Sequence, residues 1–391
     1  MSVIRNEAAN PFTPGSGYPP PYMAGRVEQT TAITEVLLER LQMGRPARPL
    51  LFTGLRGVGK TALLTTARRA AAEAGLPVIR LEAARREGAL GFLIGQLESL
   101  LTRYSSKRAS TRRALERLAE LKVGLKIAGS GLEVTHKRGE AKLAEGYLFQ
   151  QTFAAVARAA VDEEAPVIVV IDELQQGQKE LLGPVLTAVH EANQDNVPFG
   201  LVAAGLPYTE SWIAKNVTYG GRMFEVRPLD LLDDDSAREA FVETLRLVPN
   251  EQFSDEALDR MVELAQGLPY FIQEYGSAVW RTATDEPISA ADVERAERLA
   301  AEAIGSFYRQ RIEEASDRER EYLVAVASLD GPGPFASHHV ATAMGSKAGE
   351  VAVFRQRLIR DKGLLIQPGK SLVQFALPGL AAWLRDHHSD L

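Results

Sequence analysis

Eight consecutive residues, Gly54-Leu55-Arg56-Gly57-Val58-Gly59-Lys60-Thr61, fit G-x-x-x-x-G-K-[ST] without a mismatch. This spacing demands a particular fold around it. Glycines let the backbone curl until its N–H groups converge on phosphate oxygens, and a helix must follow with its positive dipole end aimed at them. Lys60 is placed to bridge β- and γ-oxygens, and the Thr61 hydroxyl to ligate Mg²⁺. Gly54, Arg56, Gly57, Val58, Gly59, Lys60, Thr61 and Ala62 are therefore the expected contacts for ATP, with Lys60 also catalytic. The flanks agree. Pro49-Leu50-Leu51-Phe52-Thr53 reads as a short buried strand, and a helical pattern runs on to about Glu73, closed by Gly75.

More strands follow. Val78 to Leu81, Val167-Ile168-Val169-Val170-Ile171, Gly200 to Ala204 and Met223 to Val226 are strand-like, with helical stretches between. The third is apolar throughout, as a parallel sheet covered on both faces requires. The fold class is thus α/β, a doubly wound parallel sheet of the P-loop NTPase kind. Residues 1–24, rich in proline and glycine, read as an irregular arm; 25–226 hold the sheet, and 227–309 read as a helical lid. In 310–391 three short helices precede Gly363 to Phe375, a strand, Pro-Gly turn, strand, which is the layout of a winged helix.

One crossover is too long. About 85 residues separate Leu81 from Val167, and within them Arg103 to Lys126 carries eight Lys or Arg against Glu116 and Glu120. This basic insertion, around 103–140, is expected to end in a hairpin, Val123–Ile127 with Leu132–Thr135 about Gly129-Ser130-Gly131.

Asp172-Glu173 end the most apolar strand, where ligands collect in open α/β sheets. With the phosphate loop upstream, Asp172 is expected to hold Mg²⁺ through water and Glu173 to act as general base on the attacking water.

Composition removes several function classes. The chain has no cysteine, which excludes disulfides and thiolate metal sites and fits a reducing cytoplasm. Met1 to Asn10 contain no signal-peptide core, and no apolar run reaches membrane-spanning length, so a soluble, cytoplasmic protein without membrane contact is expected. A net charge of −6 restricts any nucleic-acid surface to a local patch. His338-His339 and His387-His388 lack the companions a metal site needs, since adjacent helical residues point apart.

Gly25-Arg26-Val27-Glu28, the phosphate loop, Ile171-Asp172-Glu173, Gly205-Leu206-Pro207 and Gly267-Leu268-Pro269-Tyr270 occur in this order. From about Met23 to the C-terminus the chain resembles AAA+ and STAND-type ATPases, most of all origin-initiator-like ATPases with a C-terminal winged helix. The resemblance implies a helical lid closing over ATP, with Arg26 near the adenine and Pro269 and Tyr270 over the base. It implies that Arg222, in Gly220-Gly221-Arg222, is an arginine finger acting on a neighbouring subunit's γ-phosphate, and hence a homo-oligomer when ATP is bound. Two departures stand out. Ala203, Ala204 and Gly205 lack the polar group expected at the end of that strand, and Pro269-Tyr270 stand where a lid arginine is usual. Both changes imply slow hydrolysis, a switch more than a motor.

Arg355, Arg357, Arg360 and Lys362 lie on or at the end of the third C-terminal helix, and Lys370 on the wing turn, which makes them candidate contacts for duplex DNA. From Ile312 onward, however, 9 Lys/Arg face 10 Asp/Glu, so this region is not basic overall. A DNA-coupled switch, a signalling switch whose winged helix meets a protein partner, and an ATP-binding scaffold all remain open.

Overall fold

The fold is described from a computed structural model, for residues 5–15, 17–83, 88–105, 108–129, 137–177, 179–217, 220–284, 286–331 and 333–387. Its sheet is built from runs too apolar to tolerate water. β1 (Leu50–Gly54), β3 (Val167–Asp172) and β4 (Phe199–Gly205) are buried along their whole length, because helices cover both faces. β2 (Val78–Glu82) and β5 (Glu225–Leu229) take the edges, giving the order β2-β3-β4-β1-β5. Neighbours from β2 to β1 run parallel, with Leu81 beside Ile171 and Thr53 beside Gly205. The register brings Thr53, Asp172 and Gly205 to the carboxyl ends together.

The chain divides into two units, residues Val27–Thr53 with Lys60–Pro228, and Met1–Arg26 with Gly54–Gly59 and Leu229–Leu391. In the first, a helix over 27–42 with π-type turns at Ala32–Leu38 precedes β1, and Lys60–Glu73 follows the loop. The long crossover is three helices, Ala89–Ser105, Ala109–Gly129 and Lys137–Asp162. This corrects the hairpin expectation: Val123–Ile127 are helical, continuing a helix that starts at Ala109, since propagating an existing helix is easier than starting a strand beside it. Residues 132–135 lie outside the described residues. Two of the segment's cations answer to neighbours, Arg108 donating to the Asp162 carbonyl at 2.7 Å and Lys122 pairing with Glu98 at 2.5 Å. A second correction falls at 223–224, where Met223 ends a helical turn, Gly220–Met223, and the strand begins at Glu225.

In the second unit, helices Asp234–Leu245, Asp255–Ala265, Pro269–Thr282 and Ala290–Glu313 are packed on one another. The N-terminal arm is irregular but tied down. Phe12 is buried against Gly276, where even a Cβ would meet its ring at 2.3 Å, and Thr13 N–H donates to the Gln273 side chain at 2.9 Å. Helices Asp317–Ala327, Ser337–Ala343 and Ala348–Arg360 precede β7 (Leu365–Ile366) and β8 (Leu372–Phe375) as expected. Two elements were not legible: β6 (Phe335–Ala336), which pairs antiparallel with β8, and the helix Leu380–His387, whose Trp383 packs on Tyr308.

Candidate functional site

The phosphate loop takes the shape its glycines permit. Gly57 and Gly59 have φ of +87° and +97°, a region costly for any other residue. Gly54 is needed for space instead, since a Cβ there would approach the Leu229 carbonyl to 2.6 Å. Val58 is fully buried, and its carbonyl accepts from Arg26 Nη2 at 3.3 Å. The same nitrogen donates to the Asp230 carbonyl at 2.7 Å. Arg26 is itself 6% exposed. Burial pushes its guanidinium below the ordinary value, opposed by Asp230 and Asp233. It acts as a strut on the loop's backbone.

Gly267-Leu268-Pro269-Tyr270 forms an elbow pinned to that loop. Gly267, at φ +69°, admits no side chain, because a Cβ would meet the Leu232 carbonyl at 2.1 Å. Pro269 starts its helix at the position where a missing N–H is harmless. Tyr270 N–H donates to the Gly57 carbonyl at 3.2 Å, and its ring stacks on Phe307 at 4.5 Å. Arg56 reaches Glu314 at 3.2 Å.

Lys60 and Thr61 open the helix Lys60–Glu73, where the positive end of the helix dipole favours an anion. Lys60 is 6% exposed and Ala62 8%. Thr61 Oγ1 donates to Asp172 Oδ2 at 2.8 Å, so hydroxyl and carboxylate converge on one point. Two hard oxygen donors there suit Mg²⁺, which keeps most of its waters and takes one or two protein ligands. Thr61 and Asp172 would hold the ion, and its charge would offset that of bound phosphates.

Glu173 has left-handed backbone, φ 51° and ψ 43°, uncommon for a side chain of this size and frequent where geometry serves a site. Its Oε2 accepts from Gln175 Nε2 at 2.6 Å. Sequence reasoning passed over Gln175; the available signal was its place two residues beyond Asp172-Glu173. Arg222 is exposed on the turn Gly220–Met223, just before β5, and its carbonyl accepts from Arg48. Arg357, Arg360 and Lys370 are exposed, while Arg355 and Lys362 are half-buried. No helix among the described residues is long and apolar enough to cross a membrane.

Residues 22–199 match the family model described as AAA ATPase domain, and 305–384 match one described as a domain of unknown function (DUF8462). No curated protein matches the chain. Among solved structures it is similar to the ORC2 protein of Aeropyrum pernix in ADPNP and ADP complexes. That likeness has 15% identity and a TM-score of 0.55, over 96% of this chain and 97% of that one. It is also similar to a mutant form of Thermotoga maritima RuvB, with 15% identity and a TM-score of 0.50, over 93% and 95%. Aeropyrum pernix ORC1 in complex with DNA matches at 14% identity and a TM-score of 0.47, over 95% of each chain. At such identities the likeness is one of fold. The strand, glycine loop and helix, with the sheet order around them, form the AAA+ P-loop fold, and within it residues 22–199 match the AAA ATPase domain model.

Proposed function

We propose that this chain is a slow ATP-driven switch. ATP sits on Gly54–Thr61 with Mg²⁺ at Thr61 and Asp172, and Glu173 polarises the water that attacks the γ-phosphate. Slow turnover follows from β4, whose last residues Ala203, Ala204 and Gly205 offer no side-chain donor. The observation that carries the switch is the double grip on the glycine half of the loop. Tyr270 N–H holds the Gly57 carbonyl, and Glu314 holds Arg56. Glu314 caps the helix Ala290–Glu313 that leads into the C-terminal segment, so a loop reshaped by nucleotide would move both contacts.

The C-terminal segment is read as a winged helix that touches DNA through Arg357, Arg360 and Lys370, with Arg355 and Lys362 behind them. The exposure of the first three supports phosphate contact with little base reading. The basic segment 103–126 contributes less than its sequence suggested, because Arg108, just before the helix Ala109–Gly129, and Lys122 on it are engaged by neighbouring helices. Assembly through Arg222, exposed on its turn, would complete the site of an adjacent subunit. A signalling switch with a protein partner is the second reading, favoured by the Gly267–Tyr270 elbow and the near-neutral C-terminal segment.

ATP turnover against added duplex DNA, at low and physiological salt, tests this directly. DNA stimulation that weakens with salt and vanishes in Glu173→Gln is the expected result. Unchanged turnover with no DNA retained at low salt would transfer the switch to a protein partner.

A further inference from the structure

The end of β4 lacks a polar side chain of its own, yet a polar group is present there. Gln175 leaves β3 on the turn Leu174–Gln176 and reaches across to β4. Its Oε1 accepts from Leu206 N–H at 3.2 Å, and Thr209 Oγ1, which gives its proton to the Leu206 carbonyl at 2.6 Å, packs against it at 3.4 Å. An N–H can only donate, so Oε1 must face Leu206 and Nε2 must face Glu173. Nε2 donates to Glu173 Oε2 at 2.6 Å, a charge-assisted length. Gln175 is 6% exposed and Thr209 is fully buried, so water does not compete for these bonds.

Gly205 exists to make this possible. A Cβ at 205 would lie 2.6 Å from Gln175 Oε1 and 2.3 Å from Thr209 Oγ1. Any side chain on the strand end would therefore evict the carboxamide. The missing polar residue of β4 and the presence of Gln175 are two aspects of one arrangement.

We propose that Gln175 is the positioning residue for Glu173: its donor is spent on holding the base, while β4 itself still presents no group to the attacking water. The proposal rests on Glu173 being the base. Its backbone is held left-handed at φ 51°, one carboxylate oxygen is fixed by Gln175, and Oε1 is left to accept from the attacking water. Through Leu206, whose N–H the carboxamide accepts and whose carbonyl accepts from the Thr209 hydroxyl, the base is tied to the start of the helix Thr209–Asn216. Displacement of a reacting group by about 1 Å costs on the order of 100-fold in rate, and Gln175 prevents such displacement.

Two near-isosteric variants separate this role from simple packing. Gln175→Met keeps the volume and loses all polar contacts. Gln175→Glu keeps an acceptor for Leu206 N–H but cannot donate to Glu173 when ionised. We expect both to lower kcat about 10- to 100-fold with KM for ATP unchanged, while the melting temperature falls by only a few degrees in Gln175→Met, where Leu206 N–H loses its acceptor. In single-turnover measurements on a Glu173→Gln background, Gln175→Met should cause no further loss, because the group it positions is gone. Wild-type kcat in Gln175→Glu, or an equal loss from Gln175→Met in both backgrounds, would overturn the proposal and leave Glu173 as base. Full turnover in Glu173→Gln alone would remove the base assignment, and the proposal with it.

Discussion

Tyr270 donates its main-chain N–H to the carbonyl of Gly57 at 3.2 Å, so the elbow after Gly267 grips the phosphate loop by its backbone. The approach is close enough that a Cβ on Gly57 would stand 3.3 Å from Tyr270 Cβ and 3.4 Å from Leu268 Cδ1. Gly57 also has φ +87°, which costs an L-residue about 1–2 kcal/mol. Gly57→Ala should therefore weaken ATP binding roughly ten-fold and lower stability by about 1–2 kcal/mol. Nucleotide titration and denaturant unfolding of the same preparation measure both.

A second prediction concerns the packing of helices after the sheet. Asp292 is fully buried at the start of Ala290–Glu313 and accepts from Thr284 N–H at 2.8 Å and Ser289 N–H at 2.9 Å. Burial alone would raise its pKa, but the Ser289 and Thr284 N–H bonds, the Ser289 hydroxyl and Arg295 together hold it below the ordinary 3.8. A carboxylate with a depressed folded pKa contributes stability that is complete above the unfolded value and lost as pH falls through the folded one. Asp292→Asn should cost about 1–3 kcal/mol at pH 7, and the gap to wild type should close as pH drops below 3.8. Urea unfolding across that range provides the test, and a gap that widens towards acid would contradict it.

The sheet and the phosphate loop were legible because their chemistry demands residues at fixed spacing. Gly54 to Thr61 and Asp172-Glu173 can be read without knowing what surrounds them. Gln175 was not legible, since its role exists only where Leu206 and Thr209, some 30 residues on, meet it in space. Gly205 misled in the same way. It registers as a missing polar residue in sequence and as room for one in structure. Val123–Ile127 show the opposite failure, a local strand signal overruled by the continuation of the helix begun at Ala109. Glu314 carries no motif at all, and only its contact with Arg56 marks it.

Thr61 and Asp172 give a prediction about metal. Their 2.8 Å hydrogen bond aims two oxygens at one point, and Mg²⁺ would draw on both. Thr61→Val preserves shape and removes one donor. The Mg²⁺ concentration for half-maximal turnover should rise at least about ten-fold, as loss of supporting ligands generally does. Thermal stability without metal should stay near wild type. An unchanged Mg²⁺ requirement would place the ion on other groups.

The assignment of Arg222 predicts a dependence on neighbours. Exposed on Gly220–Met223, it would act on a site other than its own chain's. Specific turnover by wild type should then rise with protein concentration, and Arg222→Ala should flatten that rise and lower the plateau about 10²- to 10³-fold. Loss of activity alone would not separate a group acting across an interface from one supporting its own fold, so mixing decides. A Glu173→Gln subunit lacks the base but keeps the arginine; an Arg222→Ala subunit has the reverse defect. Where one presents Arg222 to the other's Glu173, an intact site is restored. Equimolar mixtures should recover turnover that neither variant shows by itself, and the recovery should disappear on dilution. A mixture no more active than the average of its parts would leave Arg222 acting within its own chain.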